Sequence, residues 1–104
     1  MPHPCEDPVA SNVAAEILKA IAHPLRLRIV AMLSEGSMHV NAIAERLGAS
    51  QSTVSQQLRI LRMRNLLGTK RENSHTYYRI IEHHLHDMIR CMDSCLIDRG
   101  VKDS

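Results

Sequence analysis

The sequence predicts a mainly α-helical fold with one small β-hairpin, and three observations carry that prediction. Apolar residues recur at three- and four-residue spacing over most of the 104 positions, the period of helices with one buried face. The stretch Leu67 to Arg79 breaks that period: Tyr77 and Tyr78 favour strand, and Glu72-Asn73-Ser74 is turn chemistry between two short strands. Between Val40 and Leu67, two short helical patterns meet at Gly48 to Ser50, the punctuation of a helix-turn-helix.

A chain of this length makes one domain, near the lower end of independent stability. It has no Phe or Trp and only two Tyr, so its core is expected to be aliphatic, with six Met available to fill gaps. A small core of that kind gains stability when a helix face is buried against a second copy. No apolar run approaches the ~20 residues of a membrane span, and no signal-peptide pattern opens the chain. Three cysteines, an odd number, argue against a secreted disulfide scaffold. The expectation is a cytoplasmic protein with reduced thiols.

Residues 1–8 hold three prolines and are expected as a disordered arm before a folded domain at 9–98, with a flexible tail at 99–104. Asp7 followed by Pro8 suits an N-cap and first helical residue. Val13, Ile17, Leu18 and Ile21 then define a helix to about Ala22, which His23-Pro24 interrupts. A second helix turns Leu25, Ile29, Val30 and Leu33 inward and Arg26 and Arg28 outward, and Glu35-Gly36 stops it.

In the helix-turn-helix, Ile43, Ala44 and Leu47 form the apolar stripe of the first helix. Gly48 can take the left-handed conformation that ends a helix, and Ser50 is a good N-cap for the next. Val54, Leu58 and Leu61 repeat along that second helix, with Gln51, Ser52, Thr53, Ser55, Gln56 and Gln57 around them. A helix face meant only for water usually carries Glu and Lys. Amides and hydroxyls can both donate to and accept from base edges. Six basic residues (Arg46, Arg59, Arg62, Arg64, Lys70, Arg71) and no acidic ones lie between Arg46 and Arg71. The chain is +2 overall, so the remainder sums to −4. A positive stripe flanking an uncharged helix face suits phosphate contacts around direct base readout, with Arg59, Arg62, Lys70 and Arg71 as the phosphate-binding candidates.

Ile43-Ala44, Gly48, the run Ser50-Gln51-Ser52-Thr53-Val54-Ser55-Gln56-Gln57-Leu58 and Leu61 resemble the helix-turn-helix of the ArsR/SmtB family of bacterial repressors. Upstream, Ala22-His23-Pro24-Leu25-Arg26-Leu27-Arg28-Ile29-Val30 is similar to that family's HPxRxxI segment. The hairpin resembles the β-wing of a winged helix-turn-helix and would bring Lys70 and Arg71 to the sugar-phosphate backbone. The resemblance covers about residues 14–98 and implies a repressor that binds double-stranded operator DNA as a homodimer through its first and last helices.

The last helix, expected from about Ile80 to Asp98, supports the same assembly. Ile81, Leu85, Met88, Met92 and Cys95 are spaced four, three, four, three, a heptad seam. Together with Ile17 of the first helix, Ile81, Leu85, Met88 and Met92 are the expected dimer interface. Two-fold symmetry would then set two recognition helices ~34 Å apart on a palindrome.

Two ligand sets compete for what releases such a repressor. The resemblance implies a zinc-type site with an acidic residue and a His two apart on one protomer, and two ligands eleven and fourteen positions after the first His of the set from the other. Glu82, His84, Cys95 and Asp98 fit that spacing, with Cys95 where the family has His. A thiolate at that position shifts preference towards softer ions. The second set is Cys91 and Cys95, one helical turn apart, with Cys5 as a third thiolate, suited to a soft metal or trivalent arsenic. The family's thiolate site near the DNA-binding helices is written ELCVCDL; here the matching stretch is Ser37-Met38-His39-Val40-Asn41-Ala42-Ile43, without thiols. A thiol-based redox or sulfide switch through Cys91, Cys95 and Cys5 is the alternative, although the family's dithiol sensors carry a Cys where this chain has Ala31.

Other classes fit less well. No Gly-rich loop accompanies the Cys and His residues, and a helix interior is a poor place to activate the Cys91 thiol for catalysis, so an enzyme is not expected. A nonspecific architectural DNA binder would need basic residues spread more widely, and apolar wedges.

Overall fold

The computed structural model describes residues 6–103. Its elements run α1 (Pro8–Ile21), α2 (Pro24–Leu33), β1 (Met38–His39), α3 (Val40–Leu47), α4 (Gln51–Met63), β2 (Leu67–Glu72), β3 (His75–Ile80) and α5 (His84–Asp98). Local chemistry explains the boundaries. Asp7 caps α1 by accepting from the Val9 and Ala10 N–H groups, with Pro8 inside the first turn. Ser50 caps α4 by accepting from the Thr53 N–H.

Helix ends follow the same logic. Gly48 ends α3 at φ 63°, and the Gly48 and Ala49 N–H groups donate to the Glu45 and Ala44 carbonyls. Asn65 ends α4 at φ 61°, with Asn65 N–H on Arg62 O and Leu66 N–H on Leu61 O, the paired bonds of a left-handed helix stop. The chain then passes directly into β2.

The three strands form one antiparallel sheet in the order β1-β3-β2. Leu67 pairs with Ile80 and Glu72 with His75, so the hairpin turns on Asn73 and Ser74. Both have positive φ, 52° and 67°, the conformation whose twist matches a two-residue hairpin. Strand β1 adds two pairs to β3, Met38 with Tyr78 and His39 with Tyr77. This third strand was not anticipated, because two residues carry no readable alternation.

The core is aliphatic. Ile29, Val30 and Leu33 of α2 and Ile43 of α3 meet Val54, Leu58 and Leu61 of α4, and Leu66, Leu67 and Ile80 close the sheet side. Leu85 and Ile89 of α5 reach into the same cluster.

Two expectations about the C-terminal part are corrected. Helix α5 begins at His84, not near Ile80, because Ile80 is taken as the ladder partner of Leu67. Ile81 and Glu82 continue that connection by donating to the Leu66 carbonyl. Ile81 therefore lies off the helix, covering Gly68, where an added Cβ would sit 2.8 Å from its Cγ2. Leu85, placed by the heptad on the dimer seam, is 0 % exposed in its own chain and has no surface left for a partner. The described part of the tail also turns back: Gly100 takes φ 73°, Val101 N–H bonds Leu96 O, and Lys102 Nζ lies 2.7 Å from Asp93 Oδ1.

Candidate nucleic-acid interface and effector residues

The α3–α4 pair packs its apolar stripes inward and leaves the opposite face of α4 open. Gln51, Ser52, Thr53, Ser55 and Gln56 are all exposed. The hydroxyls nearest the helix start are partly used: Ser50 Oγ donates to Thr53 Oγ1 at 2.7 Å and lies 3.3 Å from Ser52 Oγ. Among the described residues, the side chains of Gln51, Ser55 and Gln56 have no hydrogen-bond partner, which leaves them open to an outside one. Gln57 departs from the expected reading set. Between Val54 and Leu61 it flanks the apolar stripe, is half-buried, and its Oε1 is shut off from solvent with no hydrogen-bond partner.

The basic residues divide into two groups. Arg46 bonds Glu35 at 3.2 Å and Arg64 bonds Glu16 at 2.9 Å, so these two brace α3 against the end of α2 and α4 against α1. Arg59 and Arg62 on α4 and Lys70 and Arg71 near the hairpin tip are exposed, and among the described residues none has an ion-pair partner. Register puts Lys70 opposite Tyr77 and Arg71 opposite Thr76, hence on opposite faces of the hairpin.

Sequence reasoning overlooked His39. It ends β1 and caps α3, its Nδ1 accepting from the Asn41 N–H at 3.3 Å. Its ring meets His75 edge-on at 4.7 Å between centroids and lies 6.0 Å from Tyr77. Helix α2 starts the same way, His23 Nδ1 accepting from the Leu25 N–H. Histidine is a rare enough cap that composition alone does not suggest it.

A second exposed feature lies on α1 and α5. Val9, Val13 and Leu18 of α1 are exposed, Val13 by 57 %, and Ile17 is half-buried beside them. Leu18, Ile21, Ala22, Leu27, Met88, Ile89 and Met92 line an apolar groove of about 230 Å³ between α1, α2 and α5. Met92 is 42 % exposed and Met88 half-buried at its rim.

The proposed effector ligands do not converge within one chain. Glu82 Oε1 lies 2.8 Å from His84 Nδ1 and also accepts from the His84 N–H. The ring bond, followed by the backbone bond, holds the Glu82 carboxyl below its ordinary range. Cys95 and Asp98 sit at the far end of α5, eleven or more residues on, which is roughly 16 Å along a helix rising 1.5 Å per residue. Cys91 is exposed and Cys95 half-buried. Among the described residues no three His, Cys, Asp or Glu side chains are grouped to hold a metal ion. Cys5 lies outside the described residues. No helix among them is long and apolar enough to cross a membrane.

A chain whose central helix pair is followed by a two-stranded wing, and whose second helix presents an uncharged polar face beside exposed cations, is a winged helix-turn-helix. Residues 23–67 match the family described as bacterial regulatory protein, arsR family. Over 72 residues the chain is 38% identical to the biofilm growth-associated repressor of Xylella fastidiosa, an alignment spanning 69% of this chain and 63% of that protein, so just under two thirds of the relative is represented. Reduced HlyU from Vibrio cholerae superposes with a TM-score of 0.77 at 33% identity, covering 82% of this chain and 90% of that one. The homodimeric winged helix-turn-helix DNA-binding domain of a possible ArsR-family regulator from Mycobacterium bovis gives 0.76 at 27%, covering 92% and 88%. The chain belongs to the ArsR/SmtB family, a family of DNA-binding transcriptional regulators rather than enzymes.

Proposed function

We propose that the protein represses transcription by binding a palindromic operator as a homodimer, and that a thiophilic metal or metalloid ion bound at the ends of α5 releases it. The observation that carries the DNA-binding part is the open face of α4. Gln51, Ser52, Thr53, Ser55 and Gln56 offer donors and acceptors with no acidic group among them, while Arg59, Arg62, Lys70 and Arg71 around them have no ion-pair partner among the described residues. Exposed cations of this kind are available for phosphates, and neutral amides for base edges.

The dimer reading rests on the apolar face of α1 and α5. Exposed Leu18 and Met92 line an open apolar groove, and Val9 and Val13 of α1 are exposed as well; water disfavours such surface, and a second copy would cover it symmetrically. The Mycobacterium bovis relative is described as homodimeric. Ile17, Met88 and Met92 remain interface candidates at the rim of that face.

Release follows from differential affinity, since a ligand shifts DNA binding only by favouring one arrangement of the two protomers over the other. The separation of Glu82 and His84 from Cys95 and Asp98 along α5 suits a site completed by two protomers. The Glu82 carboxylate accepts from His84 Nδ1–H, which leaves Nε2 as the free donor atom; this is how carboxylates orient metal-binding imidazoles. Glu82 is thus better placed to orient His84 than to ligate. Zinc would accept this nitrogen, thiolate and carboxylate set, and Cys91 with Cys95 would favour a softer ion or trivalent arsenic. The ion would supply a cross-link that fixes the relation of the two recognition helices.

A thiol-redox switch is the second reading, favoured by exposed Cys91 and by the likeness to a relative solved in a reduced form. Cβ atoms one helical turn apart are separated by about 5–6 Å, beyond the roughly 3.5–4.5 Å of a disulfide. Oxidation would therefore have to link Cys91 or Cys95 to a cysteine elsewhere.

Selecting bound duplexes from a random-sequence pool tests the core of this reading. A palindrome with half-sites one helical turn apart is expected, and recovery of sequences without two-fold symmetry overturns it. Zinc, arsenite and a persulfide donor, each added to the selected complex, then separate the effector classes.

A further inference from the structure

We propose that His39 is a positioning residue of the DNA-binding surface, a proton-sensitive clip that holds the wing against the α3–α4 helix pair while its imidazole is neutral. The proposal rests on the DNA-binding reading above for its functional consequence, and on three contacts of one residue, two through its side chain and one through its backbone, for its geometry.

The first contact is the cap. His39 Nδ1 accepts the Asn41 N–H at 3.3 Å, which requires an unprotonated Nδ1 with its lone pair directed at the start of α3. Helix α3 has only eight residues, so one cap is a large share of its local stability. The second contact is the backbone ladder: His39 pairs with Tyr77, and β1 has only one other pair, Met38 with Tyr78. The third is the ring contact with His75 at 4.7 Å and with Tyr77 at 6.0 Å. Cap, ladder and ring contacts meet at one residue, and through it α3 is fastened to the strand that carries the wing.

Protonation works against the cap and against the facing His75 ring. A protonated Nδ1 becomes a donor facing another donor, and its positive charge sits at the positive end of the α3 dipole. His75, itself titratable, faces the same ring. Strand alternation places Tyr77, Arg79, Lys70 and Glu72 on the same outer face of the sheet. Lys70 and Arg79 add to the repulsion, and Glu72, opposite His75, is the one acid there. Imidazole is the side chain that changes charge between pH 5 and 8. The clip is therefore closed while Nδ1 accepts from the Asn41 N–H and loosens when the ring takes up a proton. The wing cations Lys70 and Arg71 then lose their fixed position relative to α4.

The same pair does not read as a metal site. With Nδ1 accepting a backbone N–H, the proton resides on Nε2, so neither nitrogen of His39 offers a free lone pair, and no third ligand is grouped with it among the described residues.

The sign separates this clip from simple charge attraction. Protonated histidines near phosphates would tighten DNA binding in acid; a loosened clip weakens it. The test compares wild type with His39→Asn, because Asn is a strong N-cap whose acceptor does not titrate. Affinity for the selected operator is measured by fluorescence anisotropy from pH 8 to about pH 5.5 at constant ionic strength. The two proteins are expected to bind alike at the alkaline end, with wild type losing about fivefold more affinity than the variant at the acid end, the equivalent of one cap. Parallel profiles, or wild-type binding that strengthens in acid relative to the variant, overturn the proposal. A readout without DNA keeps it distinct from the DNA-binding reading. The Asn41 backbone amide resonance should move with pH in wild type and stay still in His39→Asn; an unmoved wild-type amide overturns the clip. A moving amide in a protein that binds no duplex at any pH overturns only the DNA-binding reading.

Discussion

Gln56 and Arg71 are both exposed, polar and on the proposed DNA face, yet they should fail in different ways. Gln56 projects from α4 with an amide free to bond a base edge, so Gln56→Ala should cost ~1–3 kcal/mol on the selected operator and little on random DNA. Arg71 near the hairpin tip is exposed, has no ion-pair partner among the described residues and suits a phosphate. Arg71→Ala should weaken binding to both DNAs alike and flatten the dependence of affinity on salt. Equal losses on both DNAs for Gln56→Ala would remove direct readout. Glu82 gives a third residue-level expectation. Bonds from the His84 ring and N–H stabilise its carboxylate, so it stays ionised below the ordinary 4.5. A depressed acid contributes stability above its unfolded value and loses it as pH falls through the lowered folded one. A carbon-detected titration should show the Glu82 midpoint rising in His84→Ala, and an unchanged midpoint would dissolve the pairing.

Among the elements, α5 has two faces that the heptad merged into one. Leu85 and Ile89 point into the protomer core, and Met92 lies at the open groove with the exposed residues of α1. Leu85→Ala should therefore destabilise folding by about 2–5 kcal/mol in urea. Met92→Glu should leave the fold in place and shift sedimentation from dimer to monomer, because a charge in an apolar seam goes unpaired. A Met92→Glu protein that remains dimeric at micromolar concentration would move the interface elsewhere.

At the scale of the whole molecule, the distance along α5 decides how an effector could act. Ligands at the first turn and the last turn of one helix cannot share an ion, so any site using both couples two protomers. Cys95 belongs to both proposed ligand sets. Cys95→Ser is expected to abolish release by metal or arsenite while leaving operator binding intact, as measured by anisotropy. Loss of response in His84→Ala but not in Cys91→Ser favours the mixed zinc-type set, and the reverse favours thiolates. Release of Cys95→Ser at wild-type ion concentrations would refute both sets.

What the amino-acid order determined by itself is mostly local. Asp7-Pro8, Gly48 and Ser50 act through bonds to residues at most five positions away, so the starts of α1 and α4 and the central turn were legible. The same holds for the inward stripe of Val54, Leu58 and Leu61, and for a hairpin turning at Asn73-Ser74. Tertiary structure decided what depends on partners far away in the chain. It extended β3 to Ile80 by pairing it with Leu67 and so delayed α5. It tied Arg46 to Glu35 and Arg64 to Glu16, removing two cations from an otherwise uniform stripe. It turned Leu85 inward and made a two-residue strand at His39 that joins recognition motif to wing. Periodicity states that a helix has an apolar face, but only packing chooses which apolar residues meet their own core and which are left for another molecule.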